Sequence, residues 1–278
     1  MHLGLEKTGS TFLHERVFTK LSGIRYHRKS RFRYFEQIVD LAPTENHLFR
    51  FETDREFFNV VDRIVAHRPD AFVFFVLRRH DSWLKSKYNY HIRKHGFKSL
   101  REFFDMDNDM GEWKKSEMLL KPKIDYALQK FPGRVLLLNY DELRSDRRKF
   151  IGHILTFTGA ELNDFKGLDK PSKPAFSLKQ NRILMAFNRA YPYKHLGSRS
   201  RFLNRLWYKY REFLLHTVAF LAQFVPSALV SKDPIIDEEY LNRVKDFYRD
   251  DWQYALDKIA ETLLVLSQNK SANHAINA

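Results

Sequence analysis

Ala71-Phe-Val-Phe-Phe-Val-Leu77 is seven apolar residues without interruption, bounded by Pro69-Asp70 before and Arg78-Arg79 after. A strand with one face in water alternates apolar and polar residues. This run is apolar on both faces, so it predicts a strand in the middle of a parallel sheet covered by helices on each side. Arg134-Val-Leu-Leu-Leu138 repeats the signature after the Pro132-Gly133 turn. Shorter apolar runs at 1–5 (MHLGL), Ile24–His27 and His47–Phe51 read as further strands. Helix-length periodic segments lie between them, at Ser10–Leu21, through Val39 and over Phe57–His67. Strands separated by helices imply right-handed βαβ units, hence an α/β core over residues 1–160 with a sheet of about four to five strands. From about residue 175 the pattern becomes all-helical, with candidate helices Ser177–Ala190, Arg201–Phe224 and Asp237–Leu264. The loop Lys166–Pro174 is too short and ordinary to mark a boundary. Residues 1–278 therefore read as a single domain, with the helical region 175–278 packed on the core.

The chain has 48 Lys plus Arg against 34 Asp plus Glu, a formal net charge of +14. Such a balance favours an anionic ligand, nucleic acid or an anionic membrane, without choosing among them. There are no cysteines. This excludes disulfides, thiolate zinc sites and a cysteine nucleophile, and it fits a reducing compartment. Glu6 and Lys7 interrupt the N-terminal apolar run before a signal-peptide core could form, so the expected location is cytoplasmic. The longest uncharged stretch, Phe213–Val230, contains His216, Gln223 and Pro226. It is shorter than the roughly 20 apolar residues a spanning helix needs, and reads as a buried or interfacial helix.

Two motifs carry chemistry. The first is Gly4-Leu-Glu-Lys-Thr-Gly-Ser-Thr-Phe-Leu13, placed where a strand turns into a helix. The Gly4 to Gly9 spacing matches the start of a Walker loop, and the backbone N–H groups there, with a helix N-terminus behind them, form a phosphate cradle. The Walker lysine would follow Gly9, where the chain has Ser10; its lysine is Lys7, inside the loop. That argues against an ordinary nucleoside triphosphate site and places an ammonium where it can hold a transferring group. The second motif begins at Arg78, at the carboxyl end of the buried strand, the edge where open α/β sheets bind ligands. Ser86 follows near the start of the next helix, and an arginine fork with a hydroxyl suits a second phosphate.

Lys7-Thr-Gly-Ser-Thr-Phe-Leu13 resembles the 5′-phosphosulfate loop of the sulfotransferases that use 3′-phosphoadenosine 5′-phosphosulfate (PAPS). Arg78 followed by Ser86 is similar to that family's 3′-phosphate motif. Val135-Leu-Leu-Leu-Asn-Tyr-Asp-Glu-Leu143 with Asp146 resembles its later strand and turn, and Phe247-Tyr-Arg-Asp-Asp-Trp-Gln-Tyr-Ala-Leu256 its closing helix. Two departures stand out: the usual Arg-[Asp/Asn]-Pro is Arg78-Arg79-His80, and an expected Asp-Pro is Asp146-Arg147.

The resemblance implies a P-loop-NTPase-like sheet and transfer of a sulfuryl group from PAPS to a hydroxyl or amine, leaving 3′,5′-ADP, with no metal. It implies Lys7, Thr8, Gly9, Ser10, Thr11, Phe12, Arg78 and Ser86 as donor-binding residues, with Lys7 stabilising charge in the transition state. Glu52, which ends the third strand, is the expected general base. His27, at the end of the second strand, is the alternative, and His27 and Lys29 are candidate acceptor-side residues. The acceptor itself, whether glycan, lipid or small molecule, is not legible, and neither is the oligomeric state.

The segment 201–224 carries an apolar stripe at helical spacing, from Phe202 and Leu206 through Phe213 to Phe224, with Arg199, Arg201, Arg205, Lys209 and Arg211 outside it. A basic amphipathic helix can rest on an anionic membrane. The simpler expectation is a core-packed helix with a solvated basic face. Two other functions compete with sulfuryl transfer. A P-loop-like kinase lacks its Gly-Lys-Ser/Thr and a metal-binding aspartate after a strand. A non-enzymatic basic binder rests on charge alone, and no nucleic-acid recognition motif is present.

Overall fold

The computed structural model describes residues 1–94, 96–168, 176–194, 196–197, 200–231 and 233–276. Most of the loop Lys166–Pro174 and Arg199 lie outside the described residues. In chain order the elements are β1 (His2–Gly4), α1 (Ser10–Phe12), β2 (Leu21–Ser22), β3 (Arg25–His27), α2 (Phe35–Leu41), β4 (His47–Glu52), α3 (Phe57–His67), β5 (Val73–Leu77), α4 (His80–Arg93), α5 (Leu100–Phe103), α6 (Lys115–Met118), α7 (Lys121–Lys130), β6 (Val135–Asn139), α8 (Tyr140–Ser145), α9 (Arg147–Thr158), β7 (Glu161–Leu162), α10 (Leu178–Ala190), α11 (Arg201–Leu221), α12 (Glu238–Phe247) and α13 (Arg249–Ile276). The chain forms two compact units. One comprises Met1–His80, Glu117–Ser172 and Phe247–Ala278; the other comprises Asp81–Ser116 and Lys173–Asp246.

The first unit holds a five-stranded sheet in the order β3-β4-β1-β5-β6, with every pairing parallel. Its central strands are apolar on both faces because both faces are covered. Leu3, Phe49, Phe75 and Leu137 point to one side and pack with Phe35 of α2, Val61 and Ile64 of α3, Ile124 of α7 and Ala255 of α13. Leu48, Phe74, Val76 and Leu138 point to the other and pack with Leu13, Val17 and Phe18 after α1 and with Ile151 and Ile154 of α9. β2 and β7 form a separate antiparallel pair.

The second unit is helical. α10 opens on a capping box, in which Ser177 accepts from the Gln180 N–H and the Gln180 side chain accepts from the Ser177 N–H. Arg211 of α11 is buried between the rings of Phe187 and Tyr191 and donates to Asn188 Oδ1 at 3.0 Å. Asn188 in turn donates to the Ile92 and Gly96 carbonyls.

Two expectations are corrected. The segment Asp237–Leu264 is two helices, not one, because Tyr248 breaks the helical run to stack flat on His80, ring centroids 4.3 Å apart. The apolar stripe of α11 does not face a core. The helix packs through the opposite face, where Arg211, Leu215, Ala219 and Ala222 are buried, while Phe202, Leu206, Phe213 and Phe220 are exposed.

Asp251 of α13 closes the start of α7. Its carboxylate accepts from the Leu120 N–H at 2.8 Å and the Lys121 N–H at 3.0 Å, and lies 3.0 Å from His80 Nε2. Burial pushes its pKa up, but His80 and the two N–H donors outweigh this and hold it below the usual carboxylate range. The stabilisation is therefore complete above that range and lost as pH falls through the depressed folded-state value. Asp251→Asn should cost about 1–2 kcal/mol of stability at neutral pH, a typical cap loss. Thermal unfolding followed from pH 7 to about pH 3 checks this: the gap between wild type and variant should shrink on acidification.

Candidate active site

After β1 the chain turns through Leu5–Gly9 into α1, and the turn is tight enough to constrain each residue. Gly9 has φ +88°, and a Cβ there would fall 2.4 Å from Leu143 Cδ2. A side chain there would strain the backbone and push Leu143 of α8 aside. A Cβ at Gly4 would sit 3.1 Å from Ser10 Oγ and 3.2 Å from the Phe51 carbonyl. Lys7 also has positive φ, +65°. A non-glycine residue held there costs on the order of 1 kcal/mol or more, and such strain concentrates at functional sites. Thr8 Oγ1 is buried and donates to the Leu5 carbonyl at 2.6 Å, so its hydroxyl closes the loop. The segment after β4 braces the other side: Thr53 N–H donates to the Gly4 carbonyl at 3.0 Å, and Glu6 N–H to Asp54 Oδ1 at 2.8 Å.

The N–H groups of Ser10, Thr11 and Phe12 begin a helix and have no intrahelical acceptor. Ser10 Oγ is buried and without a hydrogen-bond partner. Such a group demands an explanation, and an oxyanion seated in the loop supplies one. Phe12 is buried in the core beneath the loop and Thr11 is exposed.

Arg78 joins the second motif to the first. From just past the carboxyl end of β5 its Nη1 donates to the Lys7 carbonyl at 2.7 Å, across 71 residues of chain. Its guanidinium lies over the Tyr140 ring at 4.3 Å. Tyr140 also borders Gly9, so the strand–turn Asn139–Leu143 forms the wall against which loop and arginine are held. Next to Arg78, His80 replaces the proline of the resembled motif and reaches Asp251 and Tyr248 of the closing helix. Ser86 lies on α4 and belongs to the second unit.

Glu52 pairs in register with Gly4, at the sheet edge that carries the loop. Its carboxylate is gripped by two cations, Lys29 Nζ at 2.6 Å and the Arg50 guanidinium. Burial raises its pKa, but the hydrogen bonds and charges of Lys29 and Arg50 overcome this and leave it lowered. Lys29, expected near the acceptor, is thus Glu52's partner. His27 stacks on Phe49 at 4.4 Å and its Nε2 sits 3.1 Å from His47 Nδ1. His47 Nε2 donates to the Ala42 carbonyl, so His47 Nδ1 accepts from His27. Burial, with His47 and Arg25 nearby, pushes His27 down to about 4.

Three site residues were missed in the sequence: Arg50, Tyr26 and His14. Arg50 is 8% exposed, donates to Glu52, and its charge acts on the neighbouring Tyr26 hydroxyl. The Tyr26 hydroxyl is hydrogen-bonded to His14 Nδ1 at 2.8 Å. This chain of polar groups runs from Glu52 along the sheet face beneath the helix that follows the loop. The signal was present in β4, where Leu48, Arg50 and Glu52 share one face at period two and Leu48 is core. A cavity of about 410 Å³ lined by Met1, His47, Phe72 and Phe157 opens at the amino ends of the strands, the edge that parallel sheets do not use for ligands.

No family model matches the chain, and no curated protein matches it in sequence. Solved structures do match in shape. A sulfotransferase from Alicyclobacillus acidocaldarius superposes with a TM-score of 0.51 at 15% identity, covering 68% of this chain and 91% of that one. A mouse sulfotransferase complexed with PAP aligns with a TM-score of 0.41 at 16% identity, covering 76% of this chain and 88% of that one, too loosely to weigh on the fold. With its parallel sheet, its order of strands and its loop after β1, the chain has the fold of the sulfotransferases.

Proposed function

We propose that the chain transfers a sulfuryl group from PAPS to a hydroxyl or amine of an acceptor. The observation that carries this reading is the hydrogen bond from Arg78 to the Lys7 carbonyl, which makes one site of two motifs suited to two separate anions. The residues fit the donor. The loop is crowded at Gly4 and strained for a side chain at Gly9, and the Ser10 hydroxyl is buried without a partner. Backbone N–H groups of Thr8 to Phe12 and the Ser10 hydroxyl hold the 5′-phosphosulfate. Arg78, at the carboxyl end of β5 and against the loop, takes the 3′-phosphate through a charge-assisted contact. The donor supplies an activated sulfur whose bond to the 5′-phosphate oxygen breaks as the acceptor oxygen or nitrogen bonds to it. Negative charge grows on the phosphate oxygen as that bond breaks, and the Lys7 ammonium stabilises it. Glu52, ionised by its two cationic neighbours, takes the acceptor proton. Lys29 and Arg50 hold its carboxylate at the edge beside the loop.

Transfer of radiolabelled sulfur from PAPS to a panel of hydroxyl and amine acceptors tests the reading directly. Lys7→Gly should remove the charge while relieving the positive-φ strain. Turnover should fall by on the order of 3–4 kcal/mol in barrier, with the melting temperature kept or raised. Near-normal turnover in that variant would take Lys7 out of the mechanism.

Arg78→Ala should erase most of the preference for 3′,5′-ADP over 5′-AMP, a loss of about 10–100-fold read by calorimetry. An unchanged preference would assign the 3′-phosphate elsewhere.

Glu52→Gln should slow transfer to a hydroxyl by about 10²–10⁴-fold and spare donor affinity. The sign of the pH effect follows from the lowered pKa. The base form is complete above the usual carboxylate range, so kcat/KM should show no acidic limb between pH 7 and about pH 5. If His27→Asn rather than Glu52→Gln produces the loss, the base is His27.

A further inference from the structure

Helix α11 has two apolar faces, and among the described residues only one of them is covered. At about 100° per residue, Arg211, Leu215 and Ala222 fall on one side, which is buried and packs with α10. Phe202, Leu206, Phe213 and Phe220, with Phe224 just beyond the helix, fall on the opposite side. They are 72%, 55%, 66%, 57% and 71% exposed. Tyr210 widens the stripe at 49% exposed. This line is bordered by Lys209 on one side and by Thr217 on the other, and the Thr217 hydroxyl is turned back onto the Phe213 carbonyl. A contiguous row of aromatic side chains in water marks an interaction surface.

The charges beside the stripe indicate what covers it. Arg201, Arg205 and Lys209 are exposed and follow one another at four-residue spacing along its flank. The single acidic residue of α11, Glu212, is already bound to Lys94 and Lys209. The described surface of the helix is therefore apolar with a cationic border, the pattern that lies in the plane of an anionic lipid interface. Among the described residues no helix is long and apolar enough to cross a membrane. A second copy docked in parallel would set the arginines of one helix against those of its partner, and a second copy docked antiparallel would leave them facing an uncharged end, whereas acidic headgroups complement them.

We propose that α11 seats the protein on the surface of an anionic membrane, its phenylalanines in the acyl boundary and its arginines among the headgroups. This surface is independent of the nucleotide site, so neither proposal depends on the other.

Flotation with vesicles of phosphatidylcholine alone, and with about one third phosphatidylserine added, tests it. The protein should float with the anionic vesicles, and the bound fraction should fall as salt is raised. Replacing Arg201, Arg205 and Lys209 together by Ala should lower partitioning on the order of 100-fold. Leu206→Glu with Phe213→Glu should abolish it, with circular dichroism and melting temperature unchanged. Absence of binding at any lipid charge would overturn the proposal, as would binding that survives the glutamate pair. A solution dimer that the same pair dissociates would also overturn it, because a second copy then covers the stripe.

Discussion

The site depends on one contact, the donation from Arg78 to the carbonyl of Lys7. Lys7 sits at φ +65°, a conformation that its side chain disfavours and that must be held from outside. Arg78 holds it from one side, and Asp54 and Thr53 hold the flanking residues from the other. Arg78 is itself kept in place by the ring of Tyr140, the residue after β6. Three strand ends, β1, β5 and β6, are thus coupled through a few side chains. The parallel sheet matters because it brings these carboxyl ends to one edge; the chemistry follows from what stands there.

The second dependency is electrostatic. A +14 chain with a carboxylate at its candidate site must keep that carboxylate ionised and placed. Glu52 achieves both through Lys29 and Arg50. The charge of Arg50 also acts on Tyr26, which is hydrogen-bonded to His14 beneath the helix after the loop. The arrangement keeps Glu52 ionised and held at the sheet edge. His27, in contrast, is kept neutral and internal by its stack on Phe49 and its bond to His47.

Much of this was legible because it rests on short-range pattern. β5 and β6 are apolar on both faces, and helices cover both faces of the sheet. The loop and Arg78 were readable because each sits at a strand end that periodicity locates well. What escaped depended on long-range geometry. Arg50 hides in an apolar strand, and only pairing with its neighbours shows that it reaches Glu52 and Tyr26. The break at Tyr248 follows from a ring stack with His80, 168 residues away by number, which local helix propensity cannot anticipate. In α11 the apolar spacing was read correctly, but a helix with two apolar faces does not declare which one the protein covers. Arg211 settled it: a charged residue became the buried side because Phe187, Tyr191 and Asn188 receive it.

The account stands on the claim that the loop and Arg78 together recognise a nucleotide phosphorylated at both the 5′ and 3′ positions. Titration calorimetry of the wild-type chain with 3′,5′-ADP, 5′-AMP and ATP, each with and without magnesium, measures that claim directly. The account predicts that 3′,5′-ADP binds more tightly than 5′-AMP by at least about tenfold, the contribution of one charge-assisted contact, and that magnesium changes nothing. Equal affinity for 3′,5′-ADP and 5′-AMP, or tighter binding of ATP with magnesium, would contradict it.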